Sequence, residues 1–450
     1  MNVHFIAIGG SAMHNLAIAL QTNGYKVSGS DDEIFEPSRT RLINYGLLPE
    51  MEGWYPEKLT SDIDAVILGM HAKADNPELI QAQKLGLKIY SYPEYLYFHA
   101  RNKQRIVIGG SHGKTTITAM IMHVLKQTGN HFDYMVGSKL KDFEVMVQLS
   151  DDAPMMIFEG DEYLTSPIDL KPKFHWYKPH IALLTGIAWD HINVFPTFEN
   201  YTDQFRIFID LIEKNGSLVY YSEDQVLKTL VEKAKNVTCI PYSIPDYEVK
   251  NGVTYLKYDN ELYPIKVFGR HNLLNINGAR KICNALGISD HDFYSSIGSF
   301  EGTANRLELL SHQNNNWFYK DFAHAPSKVI ATVKAIREQY PHHKLVVCLE
   351  LHTFSSLNQR FIKEYAGSLN VADEACVFFN PHALALKRLP DLDTQKVKEA
   401  FDYEKLSIFA NAKNMTGWLE EHKGKANVYL CMSSGDFDGV DLHEISKKLV

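Results

Sequence analysis

A chain of 450 residues is long enough for about three domains of ordinary size. Its 45% hydrophobic and 22% charged residues are typical of a soluble globular protein. A net charge of −8 argues against bulk electrostatic attraction to nucleic acid or to anionic lipid. No apolar stretch approaches the ~18 residues of a membrane span, so we expect neither nucleic acid nor a membrane as a partner.

The N-terminus and the cysteines both indicate a cytoplasmic protein. The opening MNVHFIAIGG has no basic segment, and its apolar run is too short for a secretion signal. The five cysteines are an odd number without the spacing of a metal site, and Cys348, Cys376 and Cys431 lie in apolar, strand-like runs. We therefore expect reduced thiols in the core.

Residues 1–103 alternate between strand and helix patterns. HFIAIGG, YKVSGSD and AVILGM predict strands, and SAMHNLAIALQTNG predicts a helix after the first of them. Such alternation implies a parallel sheet with ligands at the carboxyl ends of its strands. The glycine turn does not match G-x-G-x-x-G, so it either holds a diphosphate at the helix start or only makes the turn. The candidate residues are Gly9, Gly10, Ser11, Ala12 and Met13, with Asp31 after the second strand in reach of a ribose.

The second block, residues 104–310, opens with QRIVIGGSHGKTT. A β-branched strand, a glycine turn and Lys-Thr at a helix start form the layout of a phosphate cradle. The longer G-x-x-x-x-G-K-[ST] pattern would need glycine where Ile108 stands, so the match is to the shorter G-x-x-G-K-T, from Gly110 to Thr115. We expect Lys114 to reach the β- and γ-phosphates and Thr115 to contact Mg²⁺. We also expect a bound anion to be the only partner of Lys114, so that the fold does not need this side chain.

Two further strands of this block end in an acid or a histidine. PMMIFEGDE (154–162) carries Glu159, and HIALLTGIAWDH (180–191) ends at His191. Because parallel strands end at the same edge as the cradle, both side chains are candidate Mg²⁺ ligands, although each alone is also compatible with a solvated strand end. The rest of the block predicts a helix from Phe198 to Lys214, a hairpin at Asn251-Gly252, and a helix bearing His271, Asn272 and Asn275.

The third block, residues 311–450, alternates again. Its predicted strands are NNWFYKDFAHAP (314–326), KLVVCLEL (344–351), EACVFFN (374–380) and NVYLCMSSGD (427–436). The predicted fold class is therefore α/β with three domains. These are an N-terminal Rossmann-like parallel sheet (1–103), a central P-loop ATPase-type domain (104–310) and a C-terminal Rossmann-like domain (311–450).

Together these segments resemble the Mur ligases, the ATP-dependent amide-bond ligases of peptidoglycan assembly. GSHGKTT resembles the family's G-T-x-G-K-T-T, FGRHNLLNINGA its G-x-H-N-x-x-N-x-x-A, and SFEGTANRLELL its F-x-G-x-x-R-x-E. EGDEYLTSPIDLKPKFHWYKPH and KDFAHAPSKVIATVKAIR resemble stretches of the murein peptide ligases, the branch that attaches a whole tripeptide. The likeness runs through all three blocks.

This resemblance implies a role for each domain. The first binds the UDP-sugar through the turn at 9–13 and Asp31, the second binds ATP, and the third closes over both with the amine substrate. Magnesium falls on Thr115, Glu159 and His191, and the catalytic roles fall on Lys114, Glu159 and His191. The implied ATP contacts are Gly110, Ser111, His112, Gly113, Lys114, Thr115, Thr116, His271, Asn272, Asn275, Arg306, Asp321 and His324.

The chain departs from the family at several positions. Arg206 stands where some members carry a carbamylated lysine, Gly186 replaces the asparagine of T-N-[IL], and Ala325 replaces the second histidine of H-H-P. In the third domain, ELHTFSSLN (350–358) replaces the arginine-containing E-P-R-S-N-T, with His352 in the arginine's place. A neutral imidazole cannot form arginine's two-pronged contact with a carboxylate.

The resemblance implies a ligase that uses ATP and Mg²⁺ and proceeds through an acyl phosphate. We expect it to join the lactoyl carboxylate of UDP-N-acetylmuramate to the amine of the tripeptide L-Ala-γ-D-Glu-diamino acid, in peptidoglycan recycling. Two alternatives stay open: the UDP-N-acetylmuramate–L-alanine ligase of peptidoglycan biosynthesis, and a non-catalytic nucleotide-binding regulatory module. We expect a cytoplasmic monomer or weak homodimer.

Overall fold

The computed structural model describes residues 1–189, 194–303, 306–425 and 427–450. These residues form two compact units. The first unit contains residues 1–243 and 275–296, and the second contains residues 244–274 and 297–450. None of the helices in these ranges combines the length and the apolar character that a membrane crossing needs.

The strands of the described residues are short, and most are parallel to their neighbours. In chain order they are β1 (Asn2–Ile6), β2 (Lys26–Ser30), β3 (Ala65–Leu68), β4 (Ile89–Ser91), β5 (Gln104–Gly109), β6 (Asp133–Met135), β7 (Val147–Gln148), β8 (Met155–Glu159), β9 (Leu164–Ser166), β10 (Asp169–Pro172), β11 (Ile181–Leu184), β12 (Ser217–Tyr221), β13 (Thr238–Tyr242), β14 (Tyr247–Lys250), β15 (Val253–Tyr258), β16 (Glu261–Ile265), β17 (Glu308–Gln313), β18 (Asn316–Asp321), β19 (Lys344–Leu351), β20 (Glu374–Phe379), β21 (Leu406–Phe409) and β22 (Asn427–Met432).

The helices alternate with the strands over much of the chain. They are α1 (Met13–Thr22), α2 (Ser38–Asn44), α3 (Pro77–Lys84), α4 (Tyr92–Ala100), α5 (Lys114–Gln127), α6 (Phe198–Asp210), α7 (Gln225–Val231), α8 (Arg270–Ala285), α9 (Asp290–Ile297), α10 (Pro326–Gln339), α11 (Pro381–Leu386), α12 (Thr394–Phe401), α13 (Ala412–Glu421) and α14 (Leu442–Leu449). Short 3₁₀ turns occupy Pro56–Lys58, Lys173–Trp176 and Ile362–Tyr365.

The N-terminal sheet has four parallel strands in the order β2-β1-β3-β4. Phe5 of β1 and Leu16 of α1 are fully buried and belong to one apolar cluster, which fixes the helix on the sheet. The last helix of this segment, α4, begins with a capping box. The Ser91 hydroxyl accepts from the N–H of Glu94, and the Glu94 carboxylate accepts from the N–H of Ser91.

The central sheet has seven strands in the order β13-β12-β11-β5-β8-β6-β7, and only β6 and β7 pair in an antiparallel way. Ile106, Val107 and Ile108 of β5 are fully buried, as expected for a central parallel strand with both faces covered. The strands β11 and β8 flank β5 in register, so the carboxyl ends of all three meet at one edge.

The second unit is built on a six-stranded sheet, β17-β18-β22-β19-β20-β21, parallel except for the hairpin of β17 and β18. A separate antiparallel sheet contains β14, β15 and β16. The hairpin predicted at Asn251-Gly252 is confirmed: Lys250 pairs with Val253, and both turn residues have positive φ.

A row of three thiols crosses the six-stranded sheet. Cys348 is the register partner of Cys376 on one side and of Cys431 on the other. All three thiols are free and fully buried, as the apolar runs around them predicted. Burial raises the pKa of Cys348 well above its usual value and raises that of Cys376 in the same direction.

The α/β class and its parallel sheets confirm the predicted fold. The boundary predicted after residue 310 falls inside β17, and residues 244–274 group with the second unit. The three domain boundaries therefore stay a prediction. The sequence analysis also missed β4 and β21, which have only three and four residues.

A buried ionic network joins the end of α4 to the central sheet. Asp133 of β6 is fully buried, and it accepts hydrogen bonds from Lys103 at 2.6 Å, Ser150 at 2.7 Å and His99 at 3.0 Å. Burial alone would raise the pKa of Asp133, but these hydrogen bonds outweigh it and the pKa lies below its ordinary value. A carboxyl of this kind stabilises the fold above its unfolded pKa, and that contribution is lost as the pH falls through the folded pKa.

We predict that Lys103→Met destabilises the fold by about 3 kcal/mol, because it leaves the Asp133 carboxylate buried without its ammonium partner. Urea denaturation of the full chain measures the change. The exposed Lys88→Met is the matched control and should change stability by less than about 0.5 kcal/mol. Adding Asp133→Asn to Lys103→Met should recover part of the loss. Equal effects of Lys103→Met and Lys88→Met would contradict the prediction.

Candidate active site

Two glycines shape the turn between β5 and α5. Gly110 has φ +110° and Gly113 has φ +83°, conformations that residues with side chains rarely adopt. A Cβ at Gly110 would lie 2.3 Å from the Thr185 hydroxyl, and one at Gly113 would lie 2.5 Å from Asn275 Oδ1. Because Gly113 provides no side-chain cap, the first backbone N–H groups of α5 remain suited to an anion. This geometry fits the phosphate cradle that the sequence predicts.

Thr115 and Glu159 meet beside this turn. The Thr115 hydroxyl donates to Glu159 Oε1 at 2.6 Å, and the N–H of Gly137 donates to Glu159 Oε2 at 2.8 Å. Glu159 is 9% exposed. A hydroxyl and a carboxylate are the hard oxygen donors that Mg²⁺ prefers, so these two residues fit the predicted metal site. The third predicted ligand, His191, lies outside the described residues.

The expectation that Lys114 has no protein partner is wrong. Its ammonium donates to the Gly110 carbonyl at 2.7 Å and to the two carboxylate oxygens of Glu162 at 2.8 and 3.1 Å. Glu162 is 1% exposed and also accepts from the Tyr201 hydroxyl at 3.2 Å. The sequence analysis did not assign Glu162 or Tyr201 to the site. The available signal was a second acid shortly after Glu159 in EGDE.

The segment after β11 is hydrogen-bonded to the cradle. The Ser111 hydroxyl donates to the Ala188 carbonyl at 2.8 Å, and the N–H of Ala188 donates to Ser111 Oγ at 2.7 Å. Asp224, the N-cap of α7, accepts from the N–H of Ile187 at 2.7 Å. This hydrogen bond holds the segment after β11 on the side away from the cradle turn. The buried Thr185 hydroxyl has no hydrogen-bond partner among the described residues. A phosphate oxygen or a water bound in the turn would satisfy it.

The predicted ATP contacts are divided between the two units. The first unit holds the cradle, with an exposed His112 and a half-buried Thr116, and brings Asn275 of α8 to Gly113. The second unit holds the remaining five, which are His271, Asn272, Arg306, Asp321 and His324. ATP contact by these residues therefore stays a prediction.

Asp321, one of the predicted ATP contacts in the second unit, holds the loops around it. It lies at the end of β18, is 4% exposed, and accepts from the N–H groups of Leu307 and Ala323, each at 2.7 Å. The Arg306 guanidinium lies 5.4 Å from the centre of the Phe322 ring. The carboxylate therefore holds two loops, one of which carries the arginine.

Two histidines near Asp321, His271 and His324, are mainly uncharged. Burial lowers the pKa of His271 and of His324, so both imidazoles are mainly uncharged at neutral pH. His324 Nδ1 donates to the Phe322 carbonyl at 2.8 Å, and Asn272 donates to the Phe268 carbonyl at 2.9 Å. These groups can offer hydrogen bonds to a ligand without adding charge.

The N-terminal glycine turn is hydrogen-bonded to Asp31, the residue after the second strand. The carboxylate of Asp31 is fully buried; it accepts from the N–H of Gly9 at 2.6 Å and lies 2.8 Å from His71 Nε2. The hydrogen bond to Asp31 raises the pKa of His71 against the opposing effect of burial. Asp31 therefore braces the glycine turn, and its contact with a ribose stays a prediction. Of the other candidates, Met13 lies in the core, whereas the turn itself, Gly9, Gly10, Ser11 and Ala12, is at least partly exposed.

Arg206 lies on the exposed face of α6. It pairs with Asp203 at 2.7 Å and with Asp210 at 2.8 Å, at the i−3 and i+4 positions of its own helix. Those pairs account for its charge, and a guanidinium cannot form a carbamate because it stays protonated.

A buried carboxylate stands at the end of β19 in the second unit. Glu350 is 1% exposed and accepts from the Ser433 hydroxyl and from the N–H of Phe437 at 2.9 Å. His352 Nδ1 lies 3.7 Å from Glu350, and a Cβ at Gly435 would lie 2.6 Å from the same nitrogen. The imidazole in the arginine's place is thus packed between a carboxylate and a glycine loop.

We predict that Gly110→Ala abolishes nucleotide-dependent phosphate release and destabilises the fold by about 2 kcal/mol or more. The reason is that φ +110° is unfavourable for alanine and the new methyl would overlap Thr185. Thermal melting and a phosphate-release assay measure both effects. The control is Gly46→Ala, where φ is +65° and no atom lies within 4 Å; it should cost about 1 kcal/mol and leave turnover intact. Turnover in Gly110→Ala close to that of Gly46→Ala would refute the cradle geometry.

We predict that Lys114→Met lowers the free energy of unfolding by about 2 kcal/mol, because Glu162 then stays buried without a cation. Urea denaturation measures this change. The double variant Lys114→Met/Glu162→Gln should be more stable than the sum of the two single losses implies, since the partners are in direct contact. Strict additivity of the three measurements would argue that the two side chains do not form a stabilising pair.

The chain is similar to known proteins over most of its length. Residues 2–104 match the Mur ligase family, catalytic domain, and residues 108–283 match the Mur ligase middle domain. A UDP-N-acetylmuramate–L-alanine ligase from Clostridium botulinum (strain Langeland) is 30% identical over 368 residues, which span 79% of this chain and 78% of that protein.

Two solved structures show the same fold over the whole chain. The UDP-N-acetylmuramate–alanine ligase MurC of Thermotoga maritima has a TM-score of 0.69 at 20% identity, and the murein peptide ligase of Psychrobacter arcticus has a TM-score of 0.61 at 21% identity. Each alignment covers 100% of this chain and 98% of the other. The chain belongs to the Mur ligase family, whose members are ATP-dependent ligases.

Proposed function

We propose that this chain joins the lactoyl carboxylate of UDP-N-acetylmuramate to the α-amine of a peptide that begins with L-alanine. ATP supplies the activation, and peptidoglycan recycling supplies the peptide. The tripeptide L-Ala-γ-D-Glu-diamino acid is the expected amine substrate. The proposal rests on the cradle in the first unit and on the buried carboxylate at the end of β19 in the second.

The cradle supports the activation of a carboxylate. A carboxylate is a poor acyl donor until transfer of a phosphoryl group converts its oxygen into a leaving group. That transfer brings two anions together, so the site must offset their repulsion. The ammonium of Lys114 and the uncapped N–H groups of α5 supply positive charge for this in the first unit.

The donor pair of Thr115 and Glu159 supports magnesium at the same place. When bound, Mg²⁺ would neutralise part of the charge on the triphosphate. The Gly137 N–H holds the Glu159 carboxylate from the other side, so its orientation is fixed by the protein.

The N-terminal turn supports binding of the diphosphate of the UDP-sugar. Asp31 holds the Gly9 N–H, and α1 begins at Met13 without a side-chain cap. The partly exposed turn from Gly9 to Ala12 therefore presents backbone groups at a helix start, where an anion is favoured.

One observation carries the choice of a peptide over free L-alanine. At the end of β19 the second unit presents Glu350 and a half-exposed His352, with no arginine in the position where the family carries one. Free L-alanine brings a carboxylate next to its amine, and a nearby acid would repel it. In a peptide, that first carboxyl is an uncharged amide, to which an imidazole can hydrogen-bond.

L-alanine remains the second candidate. The C. botulinum relative, at 30% identity, is named a UDP-N-acetylmuramate–L-alanine ligase, and that likeness favours the single amino acid. The two substrates present the same attacking α-amine, so the chemistry of the bond does not separate them. Only the binding energy beyond the first residue does.

We predict that the tripeptide is preferred over L-alanine by at least ~10-fold in kcat/KM, because the two further residues supply binding energy that L-alanine lacks. Both amines compete in one reaction with UDP-N-acetylmuramate and ATP, and mass spectrometry of the UDP-sugar product measures the ratio.

His352→Arg is the informative variant for this competition, since it restores a cation at that position. It should shift the ratio toward L-alanine. A dominant L-alanine adduct with the unmodified chain at equal concentrations would show that this is the biosynthetic ligase.

A further inference from the structure

The Lys114 ammonium has three acceptors within hydrogen-bonding distance, as many as its N–H groups. An ammonium has three N–H groups, and the contacts at Nζ are the Gly110 carbonyl at 2.7 Å and the Glu162 oxygens at 2.8 and 3.1 Å. A phosphate oxygen can therefore be reached by Nζ only when at least one of these bonds is given up. A nucleotide phosphate and Glu162 compete for the same ammonium.

The Glu162 carboxylate has a second hydrogen-bond partner besides Lys114. Tyr201 is fully buried and donates its hydroxyl to Glu162 at 3.2 Å, and the same hydroxyl lies 3.3 Å from Ser111 Oγ in the turn. The neighbouring acid, Asp161, is paired with Lys173 at 2.6 Å. Glu162 is thus the acid that pairs with Lys114, and it also accepts a hydrogen bond that does not involve the lysine.

Two effects of this carboxylate act in the same direction. It offers Lys114 an alternative partner, and its negative charge stands near the place where the phosphates bind. Both weaken the binding of a nucleotide. In an enzyme that makes ADP and phosphate in this cradle, weaker product binding is useful, because product release and site opening often limit turnover.

We propose that Glu162 is a positioning residue that recaptures Lys114 from the products and so speeds nucleotide release. The inference rests on the proposed placement of the triphosphate in the cradle. The EGDE segment then has two roles. Glu159 contacts the metal, and Glu162 draws Lys114 back from the products.

The test is the affinity and the release rate of ADP, measured with Mg²⁺ on the full chain. Calorimetry gives the Kd, and a chase with excess unlabelled ADP gives the rate. Glu162→Gln keeps the size of the side chain and removes the charge. It should bind ADP roughly 10-fold more tightly, the scale of one lost charge interaction, and release it correspondingly more slowly, with a lower kcat.

Asp161→Asn is the matched control. It removes one negative charge from the adjacent position, where the partner is Lys173 instead of Lys114, and should change the Kd for ADP by less than about 2-fold. If Glu162→Gln does not fold, Glu162→Asp withdraws the carboxylate from Nζ and should tighten ADP binding by a smaller factor. An acid that serves only the fold would give the opposite sign, since a loosened cradle binds ADP more weakly.

Lys114→Ala separates failure of the inference from failure of the cradle. If Lys114→Ala binds ADP as well as the unmodified chain, the phosphate placement itself is wrong. If it loses ADP binding while Glu162→Gln binds ADP no more tightly than the unmodified chain, the role of Glu162 is wrong and the cradle stands. Equal tightening by Asp161→Asn and Glu162→Gln would also overturn the inference, because it would reflect general charge alone.

Discussion

Neighbouring parallel strands end at the same edge of a sheet, and the candidate active site depends on this constraint. In the central sheet β11, β5 and β8 lie side by side in register, so the Thr185 segment, the glycine turn and Glu159 come together. The hydrogen bond between Thr115 and Glu159 joins positions 44 residues apart in the chain. That bond is possible only because the chain places β8 next to β5 and not at the rim of the sheet.

Much of this site could be predicted from the sequence, because its parts are either close in the chain or at the shared edge of parallel strands. The cradle is local, since a strand, two glycines with positive φ and a helix start are all written within a dozen residues. Glu159 follows from the shared edge of parallel strands. The partner of Lys114 could not be predicted in the same way, because Glu162 lies beyond the end of β8 and contacts Tyr201 of a helix distant in sequence. An acid that follows a strand gives no indication of which way its side chain turns.

The burial of Asp31 and the position of β17 across the predicted boundary at 310 could not be read from the sequence, for related reasons. The burial of Asp31 results from three segments that meet: its own strand, the Gly9 turn and His71. A residue at a strand end looks open in sequence until the neighbouring loops are known. The boundary fell inside β17 because a hairpin needs both of its strands, and the β17 sequence ELLSHQ is too polar to be recognised alone.

The second unit has a buried carboxylate at the ends of two of its strands. Asp321 of β18 and Glu350 of β19 are both buried carboxylates that accept backbone N–H groups from loops. The intervening strand β22 pairs with both, and Met432 is in register with Asp321 on one side and with Leu349 on the other. Each carboxylate therefore fixes a loop at the same edge of the sheet. A ligand at this edge would meet loops whose shape is already set.

The row of three buried thiols can report the opening of the six-stranded sheet. Thiol reagents attack the thiolate, and burial together with a raised pKa suppresses that form at Cys348 and Cys376. Modification of these two thiols therefore requires the strands around them to open. Cys239, in the other unit, is partly exposed and can be labelled first. Slow labelling at 348 and 376 would then measure the opening free energy of the six-stranded sheet separately from that of the first unit, in a chain that carries no added probe.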